Sequence, residues 1–231
     1  MTGTRRLALV LVEAADGVVG RPPPGVDPDA WSQALVEDTY EVAAGLAEAQ
    51  AGLAGPTSRL PDLALLTWPG AVLVDCTPAP VSGALPAGAL PADPLVADPP
   101  VAASMVVASA LTGSADVLVL LAPDVPDIPA LHLGKLFQAL EHAQLAWSPV
   151  ADGGVAALGF ALPLAAWVRA VAPVLDGDPA AWRAAAPRPG AAVATPGWHR
   201  LRSPADLRHL DPGLSGWEQT RALLAGRPLG P

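Results

Sequence analysis

Five consecutive apolar residues, Val117 to Leu121, run without a polar interruption into Ala122-Pro123-Asp124-Val125-Pro126-Asp127-Ile128-Pro129. A run of that length, rich in branched side chains, predicts a strand buried on both faces, as in a parallel sheet. The three prolines fix φ and remove backbone donors, so the loop beyond the strand is rigid and holds its carboxylates in place. Residues 130 to 144 then read as a helix with Leu131, Leu133, Leu136, Phe137 and Leu140 clustered on one side. Leu145 to Trp147 leads to Asp152-Gly153-Gly154, where two glycines allow a tight turn and a close approach of backbone to a ligand. The apolar segment beyond reads as a returning strand. If the two strands are neighbours, Asp124 and Asp152 converge.

These two stretches resemble the motifs of the bacterial nucleotide-diphospho-sugar transferase-like proteins of GT-A fold. That group includes glycosyltransferases of arsenosugar type and, more distantly, molybdenum cofactor and phospholactate nucleotidyltransferases. Its motif Gly-Thr-Asp-Ser-Pro-Asp-Leu-Pro aligns with residues 122 to 129. Its motif Gly-Pro-x-x-Asp-Gly-Gly-Tyr-x-x-Leu-Gly aligns with Ser148 to Gly159. The resemblance implies a single GT-A, Rossmann-like three-layer α/β domain over residues 1 to 231 with a mostly parallel central sheet. It further implies a site in which Asp124 and Asp152 hold Mg²⁺ or Mn²⁺ and carry catalysis. Asp124 is the better metal ligand, Asp152 a second ligand or the group that orients the acceptor, and Asp127 shapes the loop.

Leu7 to Val12 is a further buried-strand candidate. In the family the loop after it carries a Gly-x-x-Lys-Thr-Arg-Leu pattern whose basic residues hold nucleotide phosphates. Here the matching segment is Gly17-Val18-Val19-Gly20-Arg21, with Gly20 at the lysine position. Gly17, Gly20 and Arg21 are the cofactor-binding candidates on this side, and Gly153 and Gly154 on the other. Backbone N–H groups of such a loop can cradle a phosphate, and an ordinary surface turn is the equal alternative.

Asp27-Pro28 opens a helix expected to reach about Leu53, with Asp27 as its cap and Glu37 and Asp38 solvated. Two short strands are expected at Leu63 to Thr67 and Ala71 to Asp75, and an apolar helix over 101 to 112. Residues 77 to 100, dense in proline, alanine and glycine, predict a loop without regular structure. Further helices fall near Leu164 to Val174 and Pro179 to Ala186. In the carboxyl-terminal third, the family's Asp-x-Asp-Thr-Pro-x-Asp-Leu is replaced by Arg200-Leu201-Arg202-Ser203-Pro204-Ala205-Asp206-Leu207, two arginines standing where the resemblance expects acids. Ser203 with Asp206 reads as a helix-capping pair, and Ser215 with Glu218 as another.

A net charge of −9 and a pI near 4.7 argue against a nucleic-acid partner, since phosphate backbones demand clustered Lys and Arg. The lone cysteine, Cys76, excludes an intrachain disulfide and suits a cytoplasmic setting as a buried, inert thiol. The apolar stretch from Gly153 to Val168 is interrupted by Pro163 and falls short of the roughly 20 residues of a membrane span. The four histidines lack metal-site spacing. The seven tryptophans are scattered as core and groove filling. The expected function is therefore glycosyl or nucleotidyl transfer from a nucleotide sugar or nucleoside triphosphate to a small-molecule acceptor, with metal. The alternative is a non-catalytic GT-A-fold binding or assembly protein, for which the missing lysine at Gly20 and the arginines at 200 and 202 count.

Overall fold

The computed structural model describes residues 3–13, 19–77 and 102–226. The expected loop at 77 to 100 lies outside the described residues apart from Thr77, as does Gly17. Strands β1 (Arg6–Leu11), β2 (Gln50–Gly55), β3 (Val72–Asp75), β4 (Val117–Leu121), β5 (Leu145–Pro149), β6 (Val155–Ala161) and β7 (Ala192–Ala194) form one seven-stranded sheet. Helices α1 (Pro28–Ala44), α2 (Leu60–Leu65), α3 (Ala103–Ala110), α4 (Ala130–Leu140), α5 (Ala166–Val171), α6 (Pro179–Ala185) and α7 (Glu218–Leu224) flank it.

The strand order is β3-β2-β1-β4-β6-β5-β7. All neighbours are parallel except at β6, which runs antiparallel to both β4 and β5. The fold class is thus α/β with a mostly parallel, mixed sheet. Alternation along β1 explains why helices are needed on both faces. Leu9 and Leu11 enter a large core with Leu133, Leu136 and Phe137 of α4, while Val10 joins a second core with Trp31, Leu35 and Tyr40 of α1. As its uninterrupted apolar run requires, β4 is buried at every position.

Several local expectations are corrected. The first helix stops at Ala44 with Gly45 as its cap, and β2 begins at Gln50. The β2 sequence, Gln-Ala-Gly-Leu-Ala-Gly, has no β-branched residue and reads like a helix tail. Its glycines serve a packing purpose that periodicity does not reveal, since a Cβ at Gly52 would lie 2.0 Å from the Val72 carbonyl oxygen of the next strand. Leu63 to Thr67 is not a strand: α2 starts at Leu60 with Pro61 in its first turn, which leaves Leu65 exposed and buries Leu63. Leu131 is likewise exposed, one residue outside the buried stripe of α4.

Asp38 is not solvated. It is fully buried and accepts from the backbone N–H groups of Gln219 (3.0 Å) and Thr220 (2.8 Å), so it caps α7 across 182 residues of chain, where Ser215 was expected to do so. The Ser203 and Asp206 pair does cap as read, with the Ser203 N–H donating to Asp206 Oδ2 at 2.8 Å.

Candidate functional site

Between β1 and β4 the strand order reverses: β2 and β3 continue on one side of β1, and the later strands on the other. In open α/β sheets the crevice outside the carboxyl ends of strands at such a switch point is where ligands bind. A cavity of about 170 Å³ lies there, lined by Leu11 and Glu13 after β1, Val19 and Gly20 of the first loop, Pro123 and Asp124 after β4, and Leu175, Asp176 and Arg200. A larger groove, about 520 Å³, opens between α1 and α2 and is lined in part by Arg59, Leu65 and Leu66. The smaller cavity is the candidate site, because it alone of the two holds a buried ion pair at the ends of two central strands.

Asp124 is 2% exposed. Its Oδ1 accepts from Arg200 Nε at 2.6 Å, and its backbone carbonyl accepts from the Leu201 N–H at 2.8 Å. Arg200 also donates through Nη1 to Asp176 Oδ1 at 2.7 Å. Arg202 reaches the same oxygen through Nη2 at 2.7 Å while donating through Nη1 to the Gly153 carbonyl at 3.1 Å. Burial works against the Arg200 charge, but Asp124 and then Asp176 outweigh it and raise its pKa. The Glu13 carboxyl opens to solvent on one side, yet desolvation and then repulsion from Asp176 raise its pKa against the pull of Arg200.

The glycines are explained by close approach. Gly20 has φ of +63°, and a Cβ there would lie 2.3 Å from the Leu201 carbonyl oxygen. Gly154 has φ of +70°, and a Cβ there would lie 2.7 Å from the Leu175 carbonyl oxygen and 2.8 Å from Arg202 Nη2. The Arg21 side chain is exposed, its backbone N–H donating to the Arg202 carbonyl at 2.9 Å. Asp152 is exposed in the turn between β5 and β6 and does not line the cavity. The carboxylate that meets Asp124 through Arg200 is Asp176, on a turn that carried no recognisable motif.

Asp127 is also buried. Its Oδ1 accepts from Trp198 Nε1 at 3.1 Å and lies 3.0 Å from His199 Nε2, too far off line for a hydrogen bond, and its Oδ2 has no partner among the described residues. The extended segment from Trp198 to Arg202 therefore ties both acids of the loop after β4, Asp127 through Trp198 and Asp124 through Arg200.

These residues do not fit a divalent cation as arranged. An ion bridging Asp124 and Asp176 would need the space that the Arg200 guanidinium fills, and among the described residues no three His, Cys, Asp or Glu side chains converge to hold a metal. Of the expected Asp124 and Asp152 ligand pair, Asp124 is paired with Arg200 and Asp152 does not line the cavity.

Residues 101–173 match the family model described as an uncharacterized protein conserved in bacteria (DUF2064). No curated protein matches the chain. Among solved structures, a Desulfovibrio desulfuricans G20 protein assigned as a nucleotide-diphospho-sugar transferase is similar with a TM-score of 0.57 at 15% identity, over 97% of this chain and 98% of the other. The 4-diphosphocytidyl-2C-methyl-D-erythritol synthase of Anaerococcus prevotii DSM 20548 is similar with a TM-score of 0.55 at 10% identity, over 90% and 96% of the two chains. At these identities the likeness is one of fold. The chain thus matches the DUF2064 model over about a third of its length and shares the GT-A-like fold of these two solved structures.

Proposed function

We propose that the chain is a transferase-like protein that binds a nucleotide or nucleotide sugar in the crevice between β1 and β4 and passes a glycosyl or nucleotidyl group to a small-molecule acceptor. The observation that carries the reading is the placement of the charged cavity at the carboxyl ends of two parallel strands where the strand order reverses. Gly20 lets the first loop approach the segment at Leu201 closely, which narrows the cavity from one side. Arg200 and Arg202 supply positive charge from the other. A divalent metal is no part of this reading, because Arg200 already neutralises Asp124. Donors aimed at a leaving phosphate stabilise the charge that develops on it, and fixed guanidinium groups can do this as a metal would. The lone, buried Cys76 supports a reducing, cytoplasmic setting. No helix among the described residues is long and apolar enough to cross a membrane.

A second reading, binding without catalysis, is favoured by one observation: Asp124 is committed to Arg200 at 2.6 Å and is not free to act as a base. Thermal shifts with a panel of nucleotides and nucleotide sugars, in Mn²⁺ and in EDTA, test both readings, followed by assay for released nucleoside diphosphate or pyrophosphate. Stabilisation with turnover is expected. Stabilisation without turnover selects the binding protein, and a panel with no stabilising compound overturns both.

A further inference from the structure

We infer that Arg200 and Arg202 form an oxyanion subsite for a phosphate group, needing no metal, which the Asp176 carboxylate fills in the free protein. The inference deepens the proposed function by naming what meets the ligand's phosphate.

Two guanidinium groups converge on a single oxygen, Asp176 Oδ1, at 2.7 Å each. That geometry is what a terminal phosphate oxygen would present, since guanidinium forks match carboxylate and phosphate alike. Each arginine has a second anchor that survives if Asp176 swings away: Asp124 Oδ1 for Arg200 and the Gly153 carbonyl for Arg202. The subsite is therefore preorganised independently of its occupant.

Asp176, by contrast, is held lightly. Its side chain is 67% exposed, against 8% for Arg200, and among the described residues its Oδ2 accepts no hydrogen bond. The solvent-exposed pair with Arg202 contributes little to stability, and Arg200 keeps Asp124, so exchanging Asp176 for a ligand oxygen is not opposed by the fold. Asp124 differs, being buried with its charge balanced by Arg200 alone among the described cations, so this pair stays together. Among the described residues Glu13 is the remaining acid at the cavity, and desolvation, then repulsion from Asp176, raises its pKa.

Calorimetric titration with inorganic pyrophosphate in EDTA tests the inference. Wild type should bind, Asp176→Ala should bind at least about tenfold more tightly because the internal competitor is gone, and Arg202→Ala should bind at least about tenfold more weakly. Arg202→Lys, which keeps charge but not the fork, should fall between, and circular dichroism should report all three variants folded. Unchanged or weaker binding by a folded Asp176→Ala, or binding in wild type that EDTA abolishes, overturns the subsite. If pyrophosphate behaves as stated while no nucleotide or nucleotide sugar binds, the subsite stands and the transferase-like reading fails. If nucleotides bind with no response to Asp176→Ala, the reverse holds.

Discussion

Replacing Asp38 by asparagine should alter the pH dependence of stability by about 2 kcal/mol between pH 4.5 and 7. Asp38 is fully buried in α1, and its two oxygens accept from the N–H groups of Gln219 and Thr220 at the start of α7. Burial pushes its carboxyl up from 3.8 to about 6, outweighing the hydrogen bonds from Thr220 and Gln219 that favour the charged form. A carboxyl that keeps its proton to higher pH when folded than when unfolded contributes stability that is fully present below the unfolded value. That stability is lost as pH rises through about 6. The full interval corresponds to about 3 kcal/mol, of which about 2 kcal/mol falls between pH 4.5 and 7. Asparagine offers one acceptor oxygen to the same amides and does not titrate. Urea unfolding of both proteins at the two pH values, followed by tryptophan fluorescence with Trp217 reporting beside α7, gives the difference with other titrations cancelled. Wild type should lose about 2 kcal/mol relative to the variant on going from pH 4.5 to 7. An equal difference at both pH values would refute the argument. A variant that loses ground as pH rises would show that the helix-capping hydrogen bonds outweigh burial.

Gly20→Ala places a side chain on a backbone with φ of +63° and against the Leu201 carbonyl, and should lower stability by about 2 kcal/mol or more in a thermal melt; an unchanged melting temperature would show the loop shifting freely. The Cys76 thiol, pushed up to about 11 by burial first and then by Glu13 and Asp75, should react with an aromatic disulfide reagent at pH 8 at least about a hundredfold more slowly in the folded protein than in urea; equal rates would refute its burial. Asp152→Asn, at an exposed turn outside the cavity, should change neither the melting temperature nor pyrophosphate affinity; loss of binding would return Asp152 to the site.

What could be read from the chain beforehand was the part set by local pattern. Val117 to Leu121 is buried at every position because a strand flanked by β1 and β6 has two covered faces, and an unbroken apolar run has no other use there. The acids of the following loop were legible because prolines frame them. Arg200 was visible only as a departure from a motif, since its partner lies 76 residues away and no spacing rule reaches that far. Asp176, a single acid on a turn, and Glu13, a single acid just past β1, gave no signal at all. Asp38 looked like one more polar residue on a helix that carries several, and its burial depends on α7, which docks there from 182 residues along the chain. β2 was missed because small residues suit both a helix and a strand whose neighbours approach closely.

The Asp124 and Arg200 pair also has a consequence for the order in which the molecule is made. Synthesis runs from the amino end, so β1, β2, β3 and β4 are available for pairing well before residue 200 emerges. Until then the carboxylate beyond β4 has no counter-charge among the cavity residues, and sealing it inside would cost about 3–5 kcal/mol. The loop after β4 must therefore stay open to water while the sheet assembles around it. It closes only when the Trp198 to Arg202 segment lies down across it, with Leu201 donating to the Asp124 carbonyl and Arg200 arriving at its side chain. A chain cut short before Gly197 would retain every strand of the sheet and still be unable to finish its cavity.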